Sequence, residues 1–406
     1  MHIEHLSLKN FRNYIRLELS LSQGPVVIHG SNAQGKTSLL EAIYYLATSS
    51  SPYTNSDRQL MNWNMDSEFL PFSQVGADII LSNHVMNHAE IILFKEQTPD
   101  GGERFRKEVK INGVSRRSAD LLGLLAVVMF LPQDMSLVEG PPAGRRRYLD
   151  IALCQTDNAY AQALSTFEKA LTQRNALLRR IGDGYASPTE LEYWDVQIAD
   201  AAGILIAGRQ RFIRELERLA QRVHRDLSGR LEDLELVYQP SFEPTFEGDG
   251  QRSFNTLGLD LHRQLPPEEI TPQYRAALIA SRSDEITRGM TLIGPQRDEM
   301  RFMVNGRDLG TYGSRGQTRT GILALKLAEL EWMHRTLNEW PVLLLDEVFA
   351  ELDADRRSYL LDRIKDVNQV LLTTTEISTL APAFLQQAAL WQVRDGQITI
   401  VEARGA

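Results

Sequence analysis

Apolar and polar positions alternate near the start of the chain. Ile15, Leu17, Leu19 and Leu21 are apolar, with Arg16, Glu18 and Ser20 between them, the period-two pattern of a half-buried strand. Pro25-Val26-Val27-Ile28 is a continuous apolar run of the buried-strand kind, and Gly30 ends it. The period then changes: over residues 36–47, Leu39, Leu40, Ile43 and Leu46 share one helical face. Residues 75–81 and 89–94 predict two more strands, and Asn112-Gly113 predicts a hairpin turn. From about residue 145 to 227 the period is helical throughout. Tyr160, Leu164, Phe167 and Leu171 hold that spacing, and Trp194, Ile198, Ala201 and Leu205 resume it after a break at 182–188. This predicts a helical hairpin with too few heptads for a long coiled-coil arm. Residues 240–258, rich in Pro, Gly and Ser, read as a loop.

Sheet signals return near Gly294. Residues 300–304 and the turn Asn305-Gly306 predict a second hairpin. A helix follows from about Gly316, then a buried strand at 342–345 and a helix from about Asp355. Strands at 370–373 and 390–393 come next, and Asp395-Gly396 turns into a last strand at 398–401. The expectation is an α/β fold in which the two ends of the chain, residues 1–130 and 291–406, build one core around a helical insertion at 131–290.

Composition narrows the class. At 406 residues, the chain exceeds one packed core. Its 43% hydrophobic and 24% charged content is that of a soluble globular protein. The longest apolar stretch, 121–131, stops at Pro132, short of the roughly 20 residues a membrane span needs. Charge in the first five residues argues against a signal peptide, so a cytoplasmic location is expected. Cys154 is the only cysteine, which excludes a disulfide framework and a cysteine-rich zinc site. The net charge of −9 argues mildly against a DNA-coating protein, but the local distribution differs. Residues 101–117 carry six basic and two acidic groups, and Arg145, Arg146 and Arg147 are consecutive. Arg104, Arg106, Lys107, Lys110 and the three later arginines are therefore candidate DNA-phosphate contacts. A solvated charged hairpin is the alternative for the first group.

Three motifs carry chemistry. Gly30-Ser31-Asn32-Ala33-Gln34-Gly35-Lys36-Thr37 follows a strand and opens a helix, as a P-loop does. Its glycines let backbone N–H groups curl around phosphate oxygens, Lys36 reaches the β- and γ-phosphates of ATP, and the Thr37 hydroxyl is a Mg²⁺ ligand. The apolar strand ending in Asp346-Glu347 has the Walker B form. Asp346 is the second Mg²⁺ group, and Glu347 orients and deprotonates the attacking water. Ser314-Arg315-Gly316-Gln317 opens a helix and matches the SxGQ core of the ABC signature, a second phosphate cradle; Ser314 is equally a good helix N-cap. The order P-loop, signature, Walker B is the ABC order. Glu351-Leu352-Asp353 stands where a D-loop does, and Thr374 stands at the switch position where ABC proteins often carry histidine.

Further segments make the resemblance particular. Asn10-Phe11-Arg12-Asn13-Tyr14 resembles the opening of the RecF family, as does Leu40-Glu41-Ala42-Ile43-Tyr44-Tyr45-Leu46 after the P-loop lysine. Phe130-Leu131-Pro132-Gln133-Asp134, the run Arg145 to Asp150, Tyr193-Trp194-Asp195, Gly294-Pro295-Gln296-Arg297-Asp298 and Tyr312 to Arg319 follow in the family's order. About 280 residues separate Lys36 from Ser314, longer than in transport ATPases and shorter than in SMC proteins. The resemblance implies an ABC/SMC-type ATPase head with mixed sheets and a short helical arm between its two halves. It implies an ATP-dependent homodimer that binds gapped duplex and single-strand/double-strand DNA junctions, and partnership with RecR and RecO in loading RecA. It also makes Arg12 a phosphate contact, with a structural sheet-edge arginine as the alternative, and Gln133 the Q-loop glutamine and a further candidate Mg²⁺ group. Two departures stand out: Ala33 replaces a usual glycine, and Gln296 a usual histidine. An ABC nucleotide-binding subunit of a transporter would share the nucleotide motifs, and an ATP-switched scaffold would share all but the need for Glu347.

Overall fold

A computed structural model describes residues 1–62, 71–97, 102–244 and 264–401. Of the predicted loop at 240–258, residues 245–258 lie outside the described residues, as does Gly101 of the basic segment. The chain forms two compact units, Met1–Met135 with Ile322–Ala406, and Ser136–Gly321.

In the first unit, strands β1 (His2–Phe11) and β2 (Tyr14–Ser20) form a hairpin. Strand β3 (Gly24–His29) leads to helix α1 (Lys36–Thr48). Strands β4 (Phe72–Ile80), β5 (Met86–Gln97), β6 (Glu103–Ile111) and β7 (Val114–Arg116) extend the β1–β2 hairpin into an antiparallel sheet of order β2-β1-β4-β5-β6-β7. The predicted turn joins β6 to β7, with Asn112 and Gly113 at φ 52° and 77°, the left-handed pair of a type I′ hairpin. Strand β8 (Val127–Phe130) lies inside the apolar stretch before Pro132.

After a single helical turn at Ser136–Glu139, the second unit has α2 (Pro142–Cys154), α3 (Asn158–Gly182) and α4 (Leu191–Leu227). Then come β9 (Leu234–Gln239), α5 (Pro267–Arg288), β10 (Glu299–Val304) and β11 (Arg307–Asp308). The predicted α3–α4 hairpin is present, and α5 packs on it. Its centre is ionic. Arg174, fully buried, meets Asp195 at 2.7 Å and Glu285 at 2.7 Å, and Arg282 meets Asp195 at 2.5 Å, so each buried charge has an opposite partner. Strand β10 pairs with β9 along its whole length, from Glu299↔Gln239 to Val304↔Leu234. That pairing assigns residues 291–321 to the helical unit, so the break falls at 321/322 and not at the expected 290/291; the first break falls at 135/136 and not at 130/131.

Helix α6 (Arg315–Leu337) carries the chain from the second unit back to the first. There β12 (Val342–Asp346), α7 (Ala354–Ile364), β13 (Gln369–Thr374), β14 (Ala389–Arg394) and β15 (Gln397–Val401) follow. They build a sheet of order β15-β14-β3-β13-β12-β8, parallel except for β15. All five residues of β12 are buried, as a parallel strand covered on both faces requires. Helix α1 shares a core with both sheets: Leu39, Leu40, Ile43 and Leu46 cluster with Ile3, Leu6 and Leu8 of β1 and with Val342, Leu344 and Leu371. Gln369, fully buried, ties the sheets together by accepting from the Ile3 N–H at 2.9 Å and donating to the Ile3 and Ser22 carbonyls. The alternation of β2 departs from expectation at one place. Ile15 is 65% exposed, and Tyr14 takes the inward place where the hairpin closes.

Candidate nucleotide site

Strand β3 delivers Gly30, and α1 starts at Lys36, so the P-loop is the turn between them. Two of its glycines are required by space as well as by dihedral. A Cβ on Gly30 (φ 154°) would lie 2.4 Å from the Val393 carbonyl oxygen, and one on Gly35 (φ 118°) would lie 2.6 Å from Asn13 Nδ2. Ala33 also sits in the left-handed region, at φ 64°, where an L-residue costs about 1–2 kcal/mol. The loop is propped from outside. Asn13 Nδ2 donates to the Gln34 carbonyl at 3.0 Å, and the Tyr14 hydroxyl donates to the Gly35 carbonyl at 3.0 Å. The Gly396 N–H donates to the Gln34 carbonyl and the Asp395 N–H to Gln34 Oε1. Ser31, Asn32 and Ala33 remain exposed at the crest.

Lys36 is buried at 4% exposure. Its ammonium donates to the carbonyls of Gly30 (2.7 Å) and Ser31 (3.1 Å) and pairs with Glu347 Oε1 at 3.1 Å. Thr37 Oγ1 lies 3.0 and 3.1 Å from the two oxygens of Asp346. The P-loop and the end of β12 thus meet through two side-chain pairs. Thr37 and Asp346 present only oxygen donors, the set a hard divalent cation such as Mg²⁺ takes. Glu347 is itself at φ 54°, which turns its side chain off the strand line.

Several sequence-derived assignments change. Thr374 does not reach the Walker B pair, because its hydroxyl donates to the Glu376 carbonyl and accepts the Glu376 N–H. The preceding residue does: Thr373 Oγ1 donates to Asp346 Oδ1 at 2.7 Å and accepts the Glu347 N–H at 3.0 Å. Arg12 is bonded to Glu41 at 2.7 and 2.6 Å and to the Gln59 carbonyl, so in this structure it braces α1. Gln133 is exposed on the turn after β8. Its neighbour Asp134 is buried and accepts the Leu131 N–H at 2.8 Å. Burial pushes the Asp134 carboxyl up, against the opposing pull of Lys326 and that N–H. Burial pulls the Lys326 ammonium down, but Glu329 and Asp134 outweigh it and hold it above its ordinary value.

In the second unit, Ser314 Oγ accepts the Gln317 N–H at 3.2 Å and Gln317 Oε1 accepts the Ser314 N–H at 2.9 Å, a closed capping box at the start of α6. Gln317 Nε2 donates to Glu232 at 2.7 Å, a contact no motif announces. Ser314 and Gly316 are exposed, and a Cβ on Gly316 would meet only Ser314 Oγ, at 3.9 Å.

The basic segments are largely spent on local partners. Arg145 is buried, bonded twice to Glu299 at 2.6 Å and to the Leu137 and Gly140 carbonyls, so it is a structural arginine and not a DNA contact. Arg146 donates to the Asp298 carbonyl, while Arg147 is exposed on α2. Lys107 reaches inward to the Ser49 carbonyl at 2.7 Å, with Asp57 3.5 Å away and the Tyr45 ring beneath it. Burial lowers its ammonium pKa, against the pull of Asp57. Arg106 pairs with Glu96 and Glu108, and Lys110 stands 3.6 Å from Glu108. Arg104 is exposed, opposite Glu96 in register. No helix among the described residues is long and apolar enough to cross a membrane.

Residues 2–399 match the family described as "RecF/RecN/SMC N terminal domain". "DNA replication and repair protein RecF" of Chloroflexus aggregans is 42% identical over 98% of this chain and 99% of its own length, and that of Bacillus cereus is 36% identical over 98% of each. A solved structure of the recombination mediator protein RecF with ATP, described as in the RecFOR pathway, has TM-score 0.81 at 27% identity over 98% of this chain and 97% of its own. An SMC head bound to the C-terminal winged-helix domain of ScpA, 14% identical, shares the fold at TM-score 0.51 over 99% of this chain and 97% of its own. With its P-loop, its Asp346-Glu347 strand end and full-length likeness to these proteins, the chain belongs to the RecF family of DNA replication and repair ATPases.

Proposed function

We propose that the chain binds DNA at gaps and single-strand/double-strand junctions in an ATP-bound dimeric form, that slow hydrolysis releases it, and that it works with RecR and RecO to load RecA. The observation that carries the enzymatic part is the meeting of Lys36 with Glu347 and of Thr37 with Asp346. Thr37 and Asp346 would hold Mg²⁺, which supplies charge neutralisation of the phosphates. Lys36 supplies the mobile cation for the β- and γ-phosphates of the substrate, and the backbone N–H groups around Ala33 and Gly35 supply the cradle. Glu347 accepts the proton of the attacking water. Its Oε1 lies 3.1 Å from the Lys36 ammonium, which puts the base beside the cation that meets the phosphates. Ser314 and Gly316 face outward at a helix N-terminus where no internal packing demands the glycine, which supports a phosphate cradle for the nucleotide of a second copy. Of the candidate arginines, exposed Arg104 and Arg147 are the ones kept for DNA phosphates.

The test is a pair of variants. Lys36→Met should abolish tight ATP binding and ATP-dependent binding to gapped DNA. Glu347→Gln should keep ATP bound, because Lys36 loses a competitor, while cleavage slows by about 10²-fold or more. Wild-type turnover in Glu347→Gln, or wild-type ATP affinity in Lys36→Met, would overturn the assignment. DNA binding should be compared on gapped, single-stranded and blunt duplex substrates, with and without ATP, at fixed salt.

A further inference from the structure

The loop that follows α1 bears no nucleotide motif, yet one of its side chains ends on the Walker B aspartate. The Tyr53 hydroxyl donates to Asp346 Oδ2 at 2.7 Å. With Thr373 on Oδ1 at 2.7 Å and Thr37 touching both oxygens, three hydroxyls converge on this one carboxylate. The loop is held so that the phenol must arrive there. Ser51 Oγ donates to Glu41 Oε1 at 2.5 Å and accepts the N–H groups of Tyr53 (3.0 Å) and Thr54 (3.2 Å). Glu41 is buried on α1 and is itself gripped by both forks of Arg12. A continuous path therefore runs from Arg12 through Glu41, Ser51 and Tyr53 to Asp346, and every link lies within the first unit.

We propose that Tyr53 is a positioning residue of the nucleotide site: its hydroxyl fixes the Asp346 carboxylate in the orientation that holds the divalent cation, and Arg12 acts on the site through the Glu41–Ser51 tether of that loop. This rests on the assignment of Thr37 and Asp346 as the cation groups. The physical argument is that a carboxylate on a free rotor presents its oxygens in many directions, whereas one held by fixed donors presents one. Such outer partners of a metal-holding carboxylate are worth about 10- to 100-fold in metal affinity or activity. A tyrosine suits the place because its hydroxyl donates a hydrogen bond to the carboxylate and carries no positive charge. It therefore orients the carboxylate without adding a cation that would compete with the metal.

The experiment uses Tyr53→Phe in the full chain, which keeps the ring and deletes the hydroxyl. Mn²⁺ serves as a paramagnetic probe, its binding measured by electron paramagnetic resonance in the presence of a non-hydrolysable ATP analogue. Nucleotide affinity is measured separately in EDTA. The expected result is an Mn²⁺ affinity weakened about 10-fold or more, a matching rise in the Mg²⁺ concentration for half-maximal ATPase, and metal-free nucleotide affinity unchanged. Ser51→Ala, which loosens the tether and keeps the phenol, should move both metal readouts in the same direction by a smaller factor. Asp346→Asn is the control. If it abolishes Mn²⁺ binding while Tyr53→Phe leaves Mn²⁺ affinity at the wild-type value, the Tyr53 proposal is wrong. If Asp346→Asn also leaves Mn²⁺ binding intact, the cation-site assignment has failed, and the Tyr53 proposal falls with it.

Discussion

At the scale of single residues, the decisive question for a charged side chain is whether something local already holds it. Arg145 shows the consequence. Its guanidinium is bonded to Glu299 and two carbonyls and is 8% exposed, so removing it strands a partly buried carboxylate and two acceptors. Arg145→Ala should lower unfolding stability by roughly 3 kcal/mol, the low end for breaking a buried pair, since Glu299 keeps some solvent. It should leave the salt dependence of DNA binding unchanged. The pH dependence has a definite sign. Burial pushes the Glu299 carboxyl up, but its bonds to Arg145 and the Met300 N–H outweigh that and hold it below its ordinary 4.5. A depressed carboxyl stabilises the fold above its unfolded pKa, and that contribution is lost as pH falls through the folded value. The gap between wild type and variant should therefore be full at neutral pH and close below about pH 4 in urea titrations. A flattened DNA salt slope with unchanged stability would return Arg145 to the DNA surface.

At the scale of elements, the nucleotide loop depends on the first hairpin more than on its own sequence. Tyr14 and Asn13, at the β1–β2 turn, bond the carbonyls of Gly35 and Gln34. Tyr14→Phe keeps the buried ring and removes one bond, worth about 1 kcal/mol, so ATP affinity should fall roughly 5-fold with little change in melting temperature. An unchanged affinity would mean that the loop holds its shape unaided. The legibility of the sequence follows the same division. P-loop, β12 and the Asn112-Gly113 hairpin were readable because each is encoded by contiguous residues whose backbone needs are local. Tyr53, Thr373, Glu41 and Glu232 were not, because hydroxyls and carboxylates in loops and on helices have no period, and their partners are fixed only when distant segments meet. The basic segment at 104–110 reads as an open patch because cross-strand pairing, which sets Glu96 opposite Arg104 and within diagonal reach of Arg106, is invisible along the chain. Helix α5 has no legible pattern for a related reason: Pro272 lies inside it, and few of its apolar residues share a face.

At the scale of the whole molecule, the nucleotide loop and the Ser314 helix start belong to different compact units. In the proposed ATP-bound dimer, twofold symmetry lets each copy lend its Ser314–Gly316 amides to the nucleotide held by the other, so two intact sites need two chains. The prediction is that blocking the helix start leaves ATP binding to a single copy within about twofold of wild type while abolishing ATP-driven dimerisation and turnover. Ser314→Arg fills the exposed cradle but also deletes the cap on Gln317, worth about 1 kcal/mol, so it cannot separate the two roles by itself. Ser314→Asp can, because aspartate is as good an N-cap as serine and its charge repels phosphate. Sedimentation of both variants with ATP and Mg²⁺ should show monomers. If Ser314→Asp dimerises fully and hydrolyses ATP at the wild-type rate, Ser314 is only a helix cap and the shared-site reading is overturned. Mixing adds a second arm. Lys36→Met chains paired with Ser314→Asp chains form heterodimers in which one site carries both defects and the other carries none. Partial recovery of ATPase in that mixture, absent from either variant alone, is what a site built from two copies produces.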